Sequence, residues 1–498
     1  MHHLICRARR LRVALLAGLT LLALAPAGAA IDAPPFAPAS LAPAPLAAQE
    51  SKRTRTRAKS QTKRPARRTV RRSRARPAAV APPAWTSPVG LAALTTDLSG
   101  MISTKIRSGR FGVMVASLTR GDTLFAQNAG EMMQPASTMK LFSTAVALDR
   151  RGPEHSFSTD VLRDAPLGGD GTISGNIYLR ADGDPSMSAS FYRDPNLPMA
   201  TLARNVASAG VKRVTGDLVF DATAFDDRKI PEGWKTTYLG AAYAAKVSAL
   251  SLNENVVWVV VRPAGKQASV TLEPMSTTIP VRSKVRLVGG RGGRIVARRA
   301  ADGGIDVSGS IGSSSGPLRY SLVVDDPALF TAGALRAALQ AAGITVDGAV
   351  RPGKTPASAE KVASLGSPPL SRIVSEMNRE SINVVAELLY RDAARATAAN
   401  GVGSAESALA NLREFMHKKV AANPYEIRVT DGSGLSTLDF FTARSMIQLL
   451  GYAHKCPGRR PFTGRCRWPA SPSSFGGACA PRPRRETSTP RRARRIPS

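Results

Sequence analysis

The stretch Gln134-Pro135-Ala136-Ser137-Thr138-Met139-Lys140, running on into Leu141-Phe142-Ser143-Thr144-Ala145-Val146-Ala147-Leu148, decides how this chain reads. Thr138 to Leu148 is apolar on nearly all faces, the pattern of a helix buried on every side. A serine stands at its start and a lysine three residues on, so a hydroxyl and an amine share one face. In that arrangement the amine can take the proton as the oxygen attacks a carbonyl. The unpaired N–H groups of the helix start add positive potential, and burial favours the neutral amine.

Ser-x-x-Lys is a common pattern. Ser60-Gln61-Thr62-Lys63 lies in a basic run, and Ser358-Ala359-Glu360-Lys361 follows Gly353 and Pro356 in an expected loop. Only Ser137 precedes a buried helix; the plain alternative there is a helix cap followed by a surface lysine. A second pattern, Ser-x-Asn, supplies a hydroxyl for proton relay and an amide for a substrate peptide bond. Ser251-Leu252-Asn253 runs straight into the strand-like Val256 to Val261, whereas Ser381-Ile382-Asn383 falls between two helical stretches and is the better candidate.

Outward from these motifs, Leu98 to Ile106 has helical spacing, Phe111 to Leu118 and Thr123 to Gln127 read as strands, and Arg120-Gly121-Asp122 reads as the turn between them. From about Ile173 to Leu365 come short β-branched runs: Ile173 to Arg180, Val214 to Phe220, Val256 to Val261, Lys284 to Val288 and Ser321 to Val324. One helix, Ala328 to Ala342, interrupts them. Helical period returns from Leu370 through Ile373 and Met377, then in Val384 to Ala394, Ala405 to Val420 and Thr442 to His454.

The 498 residues exceed what one core organises, and a formal charge of +33 suggests a polyanion partner. That charge is concentrated at the ends. Residues 1–76 hold 17 basic and 2 acidic side chains and residues 455–498 hold 12 and 1, leaving the body at +7. Arg7, Arg9, Arg10 and Arg12 precede an apolar run from Val13 to Ala25 and the small residues Ala27-Gly28-Ala29, which reads as a signal peptide for export to the periplasm. An uncleaved N-terminal anchor is the alternative. Cys6, Cys456, Cys466 and Cys479 leave the body without cysteine, so it holds together by core burial. The Ala/Pro and Arg-rich spacer cannot bury apolar area and is expected to be disordered, either as a solvated linker or as a peripheral attachment to anionic envelope polymers.

Together these residues resemble the penicillin-binding proteins, in which Ser-x-x-Lys, Ser-x-Asn and Lys-Thr-Gly line one cleft. More narrowly, the chain resembles the class C low-molecular-mass D-alanyl-D-alanine carboxypeptidase/endopeptidase family, which carries a large insertion between its first two motifs. Ser137 and Ser381 are 244 residues apart, and Gly183-Asp184-Pro185, Val247 to Asn255 and Asp431-Gly432-Ser433-Gly434-Leu435-Ser436 fit the same family. The resemblance spans roughly residues 88–454. It implies an α/β penicillin-binding/β-lactamase-like transpeptidase domain with a large β-rich insertion. The parts would be a signal peptide at 1–30, the spacer at 31–87, catalytic segments at 88–165 and 366–454 around inserted subdomains at 166–365, and a basic tail at 455–498.

It also implies roles: Ser137 as the acylated nucleophile, Lys140 as its general base, Ser381 as proton relay and Asn383 as a substrate-binding amide, with the Ser137 N–H as one oxyanion donor. The implied substrate is the D-Ala-D-Ala end or a cross-link of peptidoglycan stem peptides, with β-lactams as acylating inhibitors. No metal or other cofactor is called for, since His2, His3, His155, His417 and His454 are not at ligand spacing.

One motif departs from the family. Lys-Thr-Gly is absent, and Lys354-Thr355-Pro356 stands before Ser381 with a proline that cannot supply a strand N–H. After Lys455 the hydrophobic period stops and Arg, Pro, Gly, Ser and Cys dominate. The genetic code offers a reason. Pro490-Arg491-Arg492-Ala493 can be written CCA AGA CGG GCA, which regrouped by one base contains AAG ACG GGC, Lys-Thr-Gly. The same register over Arg465 to Ala470 permits Leu-Pro-Val-Ala-Gly. The plain reading of the tail is a disordered basic segment; the sharper expectation is that it is out of frame from near Cys456 and the printed chain inactive or unstable. Two rivals stand beside this reading: a non-catalytic cell-wall-binding pseudoenzyme, and a polyanion-binding protein acting through its basic ends. The export signal and the lack of aromatic residues among the basic runs argue against nucleic acid.

Overall fold

The computed structural model of the chain describes residues 90–455, except 107. The segments expected to be a signal peptide and spacer, and all of the basic tail but Lys455, lie outside the described residues.

The opening elements follow the sequence pattern closely. Helix α1 (Leu91–Lys105) begins seven residues earlier than its apolar spacing indicates. Strands β1 (Val113–Ala116) and β2 (Thr123–Gln127) form an antiparallel hairpin with Val113 opposite Gln127. Helix α1 packs on β2, and the last helix of the described chain packs on β1. A single 3-10 turn, Ala136–Thr138, then leads into α2 (Met139–Arg151). This helix is buried from Met139 to Leu148, as its all-round apolar sequence requires.

Residues 158–366 form the insertion. Its largest sheet has five strands in the order 350–352, 218–221, 177–181, 158–163 and 360–366. The first and last strands of the insertion, Ser158–Arg163 and Glu360–Gly366, pair antiparallel with Ser158 opposite Gly366. Some two hundred residues therefore leave and re-enter the catalytic body at one place, which allows α2 to pack against helices that follow the insertion. Three further three-stranded sheets pair 267–273, 256–264 and 318–323; 281–288, 305–312 and 293–299; and 345–346, 213–214 and 172–173.

Three expectations within the insertion are corrected. Ile173 to Arg180 is two strands, Thr172–Ile173 and Ile177–Ala181, because Asn176 turns the chain by bonding its N–H and side-chain amide to Asp164. Val214 to Phe220 likewise divides at Thr215-Gly216-Asp217. A second helix, α3 (Leu197–Ser208), precedes α4 (Pro327–Ala341). Pro198 reads as a breaker in sequence, yet in the first turn of a helix the missing N–H has no partner to lose.

The four helices after the insertion are α5 (Leu370–Glu380), α6 (Asn383–Arg395), α7 (Ala405–Lys418) and α8 (Ala443–Lys455). Met139, Phe142 and Val146 of α2 share one core with Val385, Leu388 and Leu389 of α6 and with Leu412, Phe415 and Met416 of α7. Phe225 and Val247 of the insertion reach into it. The rest of the insertion has its own core, built on Leu179, Val206, Leu218, Val259 and Leu335.

Candidate active site

Ser137 lies in the 3-10 turn and is exposed, whereas Lys140, one turn on, is 2% exposed. The turn is tight. Ala136 has φ 47°, and its carbonyl crowds Gly434 (φ +79°), where a Cβ would overlap that oxygen. A glycine is thus required at 434 by both backbone angle and close approach.

Lys140 Nζ donates to Asn383 Oδ1 at 2.6 Å, to the Ser433 carbonyl at 3.0 Å and to Ser137 Oγ at 3.3 Å. Burial lowers its pKa from 10.5 to about 8, against the opposing pull chiefly of Asp431. A usable fraction of the amine is then neutral near neutral pH and lies in contact with the Ser137 hydroxyl. Ser381 caps the C-terminus of α5 in the left-handed region at φ 56° and donates through Oγ to Ser137 Oγ at 3.0 Å. Asn383 opens α6; its Nδ2 donates to the Tyr243 carbonyl at 2.8 Å. All four residues singled out in the sequence thus meet in one hydrogen-bonded group.

The loop 431–436 supplies what motif reading missed. Asp431 accepts from the N–H groups of Ser433 (3.0 Å), Gly434 (2.6 Å) and Ser436 (2.8 Å), from Ser433 Oγ (3.2 Å) and from Trp234 Nε1 (2.7 Å). This carboxylate folds the loop around itself and so aims the Ser433 carbonyl at Lys140. Gly432 ties the loop to both helices: its carbonyl accepts from Ser143 Oγ of α2 at 2.6 Å, and its N–H donates to Glu387 Oε1 of α6 at 3.0 Å. The sequence signal was the Asp-Gly-Ser-Gly run itself, which shows a turn but not its target.

The insertion is fastened to this site at several points, among them the Glu232 and Gly233 carbonyls, which accept from Thr430, Ser436 and Thr437. Trp234 bonds Asp431, the Tyr243 carbonyl holds Asn383, and Arg391, fully buried on α6, pairs with Asp226 at 2.5 Å and donates to the Arg228 carbonyl at 2.7 Å. Ser251-Leu252-Asn253 is elsewhere: Ser251 Oγ donates to Asn255 Oδ1 at 2.9 Å in a buried turn of the insertion. Thr355, of the displaced Lys-Thr-Pro, gives its N–H to Asp221, also within the insertion. Ser358-Ala359-Glu360-Lys361 leads into a strand rather than lying wholly in a loop.

A serine turn before a buried helix, a second serine and asparagine at a helix junction, and a large insertion fastened over both are the arrangement of a class C low-molecular-mass penicillin-binding protein with the transpeptidase fold. Residues 95–464 match the D-Ala-D-Ala carboxypeptidase 3 (S13) family, and the chain belongs to it. It is 31% identical over 381 residues to a D-alanyl-D-alanine carboxypeptidase of Actinomadura sp. (strain R39), covering 74% of this chain and 69% of that one. It is 21% identical over 350 residues to the D-alanyl-D-alanine carboxypeptidase DacB of Haemophilus influenzae, covering 69% and 71%. The fold also matches the crystal structure of penicillin binding protein 4 (dacB) from H. influenzae, with a TM-score of 0.59 at 20% identity over 72% of this chain and 78% of that one.

Proposed function

We propose that this chain is a serine DD-peptidase of peptidoglycan that works through an acyl-enzyme, written here with a C-terminal tail that removes turnover. The observation that carries the reading is the contact set of Ser137 Oγ, with the Lys140 amine at 3.3 Å and the Ser381 hydroxyl at 3.0 Å. Neutral Lys140 takes the Ser137 proton as Oγ attacks the carbonyl between two D-alanines. Ser381 passes a proton to the departing amine, and water later releases the acyl group by the reverse proton path. The Ser137 N–H serves the developing oxyanion. Asn383 holds Lys140 in reach of Ser137 through its Oδ1, and its amide borders the space for the substrate peptide.

β-Lactams are the matching inhibitors, since their strained amide meets the same nucleophile. The H. influenzae penicillin binding protein 4, which this chain resembles in fold (TM-score 0.54), is known in complex with a β-lactam. Carboxypeptidase and endopeptidase action use the same bond chemistry, on a free end or on a D-configured cross-link. The N-terminal signal directs the protein to the periplasm, and the Arg-rich spacer attaches it peripherally to anionic envelope polymers.

Loss of turnover in the printed chain follows from the absence of Lys-Thr-Gly in its sequence. Two observations support an out-of-frame tail. Among the described residues β1 pairs with β2 alone, and its other side opens onto a cavity of about 950 Å³ lined by Val115, Leu118, Val420, Leu450, Tyr452 and Lys455, the last described residue. An unpaired strand edge over an apolar groove is a place where further strands belong. The match to the family also ends at residue 464, before Pro490 to Ala493, where the genetic code permits Lys-Thr-Gly in the alternative register.

The deciding experiment compares the printed chain with a frame-restored version, each exposed to a labelled β-lactam and to a stem-peptide analogue. The restored chain is expected to be labelled at Ser137 and to release D-alanine, and the printed chain to do neither. Normal labelling of the printed chain would sink the inactivity. Labelling that survives Ser137→Ala would sink the mechanism, and capture of stem peptide without release of D-alanine would favour the pseudoenzyme.

A further inference from the structure

Beneath Lys140 three carboxyl groups are buried together: Glu387 on α6, and Asp431 and Asp439 on the loop before α8, each no more than 1% exposed. Their hydrogen bonding differs sharply. Asp431 accepts five bonds across both oxygens, the surroundings of a carboxylate. Glu387 accepts from the Gly432 N–H through Oε1 at 3.0 Å, with the Ser433 hydroxyl also near it, and its Oε2 has no donor. Asp439 accepts through Oδ1 from the Thr430 N–H at 2.7 Å and the Thr430 hydroxyl at 3.3 Å, while its Oδ2 also lacks a donor. A buried anionic oxygen with nothing to accept is costly; a protonated one brings its own donor.

We propose that Glu387 and Asp439 are carried as neutral carboxylic acids, that Asp431 is the single negative charge of the cluster, and that Glu387 is thereby a positioning residue for Lys140. As a neutral acid Glu387 still accepts from Gly432 and so keeps the loop that aims the Ser433 carbonyl, but it sets no second negative charge against the Lys140 amine. A second charge would hold the proton on Lys140 and remove the neutral base.

The surroundings agree with this assignment. Burial pushes Glu387 up from 4.5 to about 8, and Asp431 adds to the effect while Arg391 opposes it. Burial also raises Asp439 well above the carboxylate range, followed by the charge of Asp431 and a hydrogen bond to it. A proton on Asp439 is therefore shared toward Asp431. The other ionisable groups facing the cluster are Lys140 on α2, Tyr390 and Arg391 on α6, and Arg413 on α7.

The sign for stability follows. An acid that keeps its proton in the folded state and loses it in the unfolded state stabilises the fold at low pH, and that contribution disappears as pH rises. For Glu387 the window runs from pH 4.5 to about 8. Lys140, whose pKa is lowered, acts in the opposite direction, and only from about 8 to 10.5.

Two measurements on the full printed chain test the proposal, and neither needs turnover. Infrared spectra of chain with ¹³C-labelled glutamate carboxyls should show a protonated-carboxyl band in the native state at pH 6. The band should be absent in Glu387→Gln and in urea; a native spectrum containing carboxylate bands alone overturns the proposal. The urea midpoint of the wild type should fall from pH 5 to 8 more steeply than that of Glu387→Gln, which keeps both the neutral charge and the acceptor for Gly432. Equal slopes overturn it. The link to Lys140 rests on that residue being the base. Failure of these readouts removes the neutral Glu387 and its positioning role and leaves the base assignment intact, whereas failure of acylation in the frame-restored chain does the reverse.

Discussion

Ser381 Oγ lies 3.0 Å from Ser137 Oγ although 244 residues separate them in the chain. The contact exists because α5 ends at Ser381 in a left-handed conformation, which turns its side chain back toward the start of α2. A relay at this position predicts that Ser381→Ala in a frame-restored chain slows acylation by a labelled β-lactam roughly 10²- to 10⁴-fold, the usual range for a positioned acid–base group. Circular dichroism should remain unchanged. Acylation at the wild-type rate would remove Ser381 from the mechanism.

The amine of Lys140 predicts the pH profile. With its pKa lowered to about 8 by burial, the neutral base is the minor form below that pH. The acylation rate constant should rise about tenfold per pH unit from 6 toward 8 and level off above. Lys140→Met should abolish both the rise and most of the rate. A flat wild-type profile would mean that another group takes the proton.

Gly434 is required by its φ of +79° and by the Ala136 carbonyl against it. Gly434→Ala is expected to cost about 1–3 kcal/mol in urea unfolding, through strain and displacement of the nucleophile turn. An unchanged midpoint would show that the turn has room to move.

Trp234 is the insertion's hydrogen bond to Asp431. Trp234→Phe keeps an aromatic ring but removes the donor and part of the buried indole, for an expected loss of about 1–3 kcal/mol. Double-mutant analysis with Asp431→Asn should show coupling between the two. Strict additivity would mean that the bond contributes nothing.

The tail makes the simplest prediction of all. Coding DNA across residues 454–498, read in the alternative register, should contain Lys-Thr-Gly at the codons for Pro490 to Ala493. Its absence would make the basic tail part of the natural protein.

How far the sequence carries can be seen residue by residue. The α2 run from Thr138 to Leu148 is apolar all round, and such a pattern has only one stable fate, so this buried helix was legible at once. Ser381 and Asn383 were legible because a helix junction differs from a strand entry, which separated them from Ser251 and Asn253. Helix α3 was not, because Pro198 has opposite meanings in the first turn and in the middle of a helix. Glu387 offered only the faint signal of a charge within an otherwise apolar run from Val384 to Leu389.

Local order therefore belonged to the sequence: periodicity selects helix or strand, and residue types at fixed offsets along one helix, such as Ser137 and Lys140, meet without help from the fold. What the tertiary structure alone decided was every partner brought from a distance. The Ser433 carbonyl, the Asn383 amide and the buried acids reach Lys140 only because the insertion closes on paired strands and lets α2 and α6 pack. Hydrogen bonds of that kind depend on distance in space, and no spacing along the chain records it.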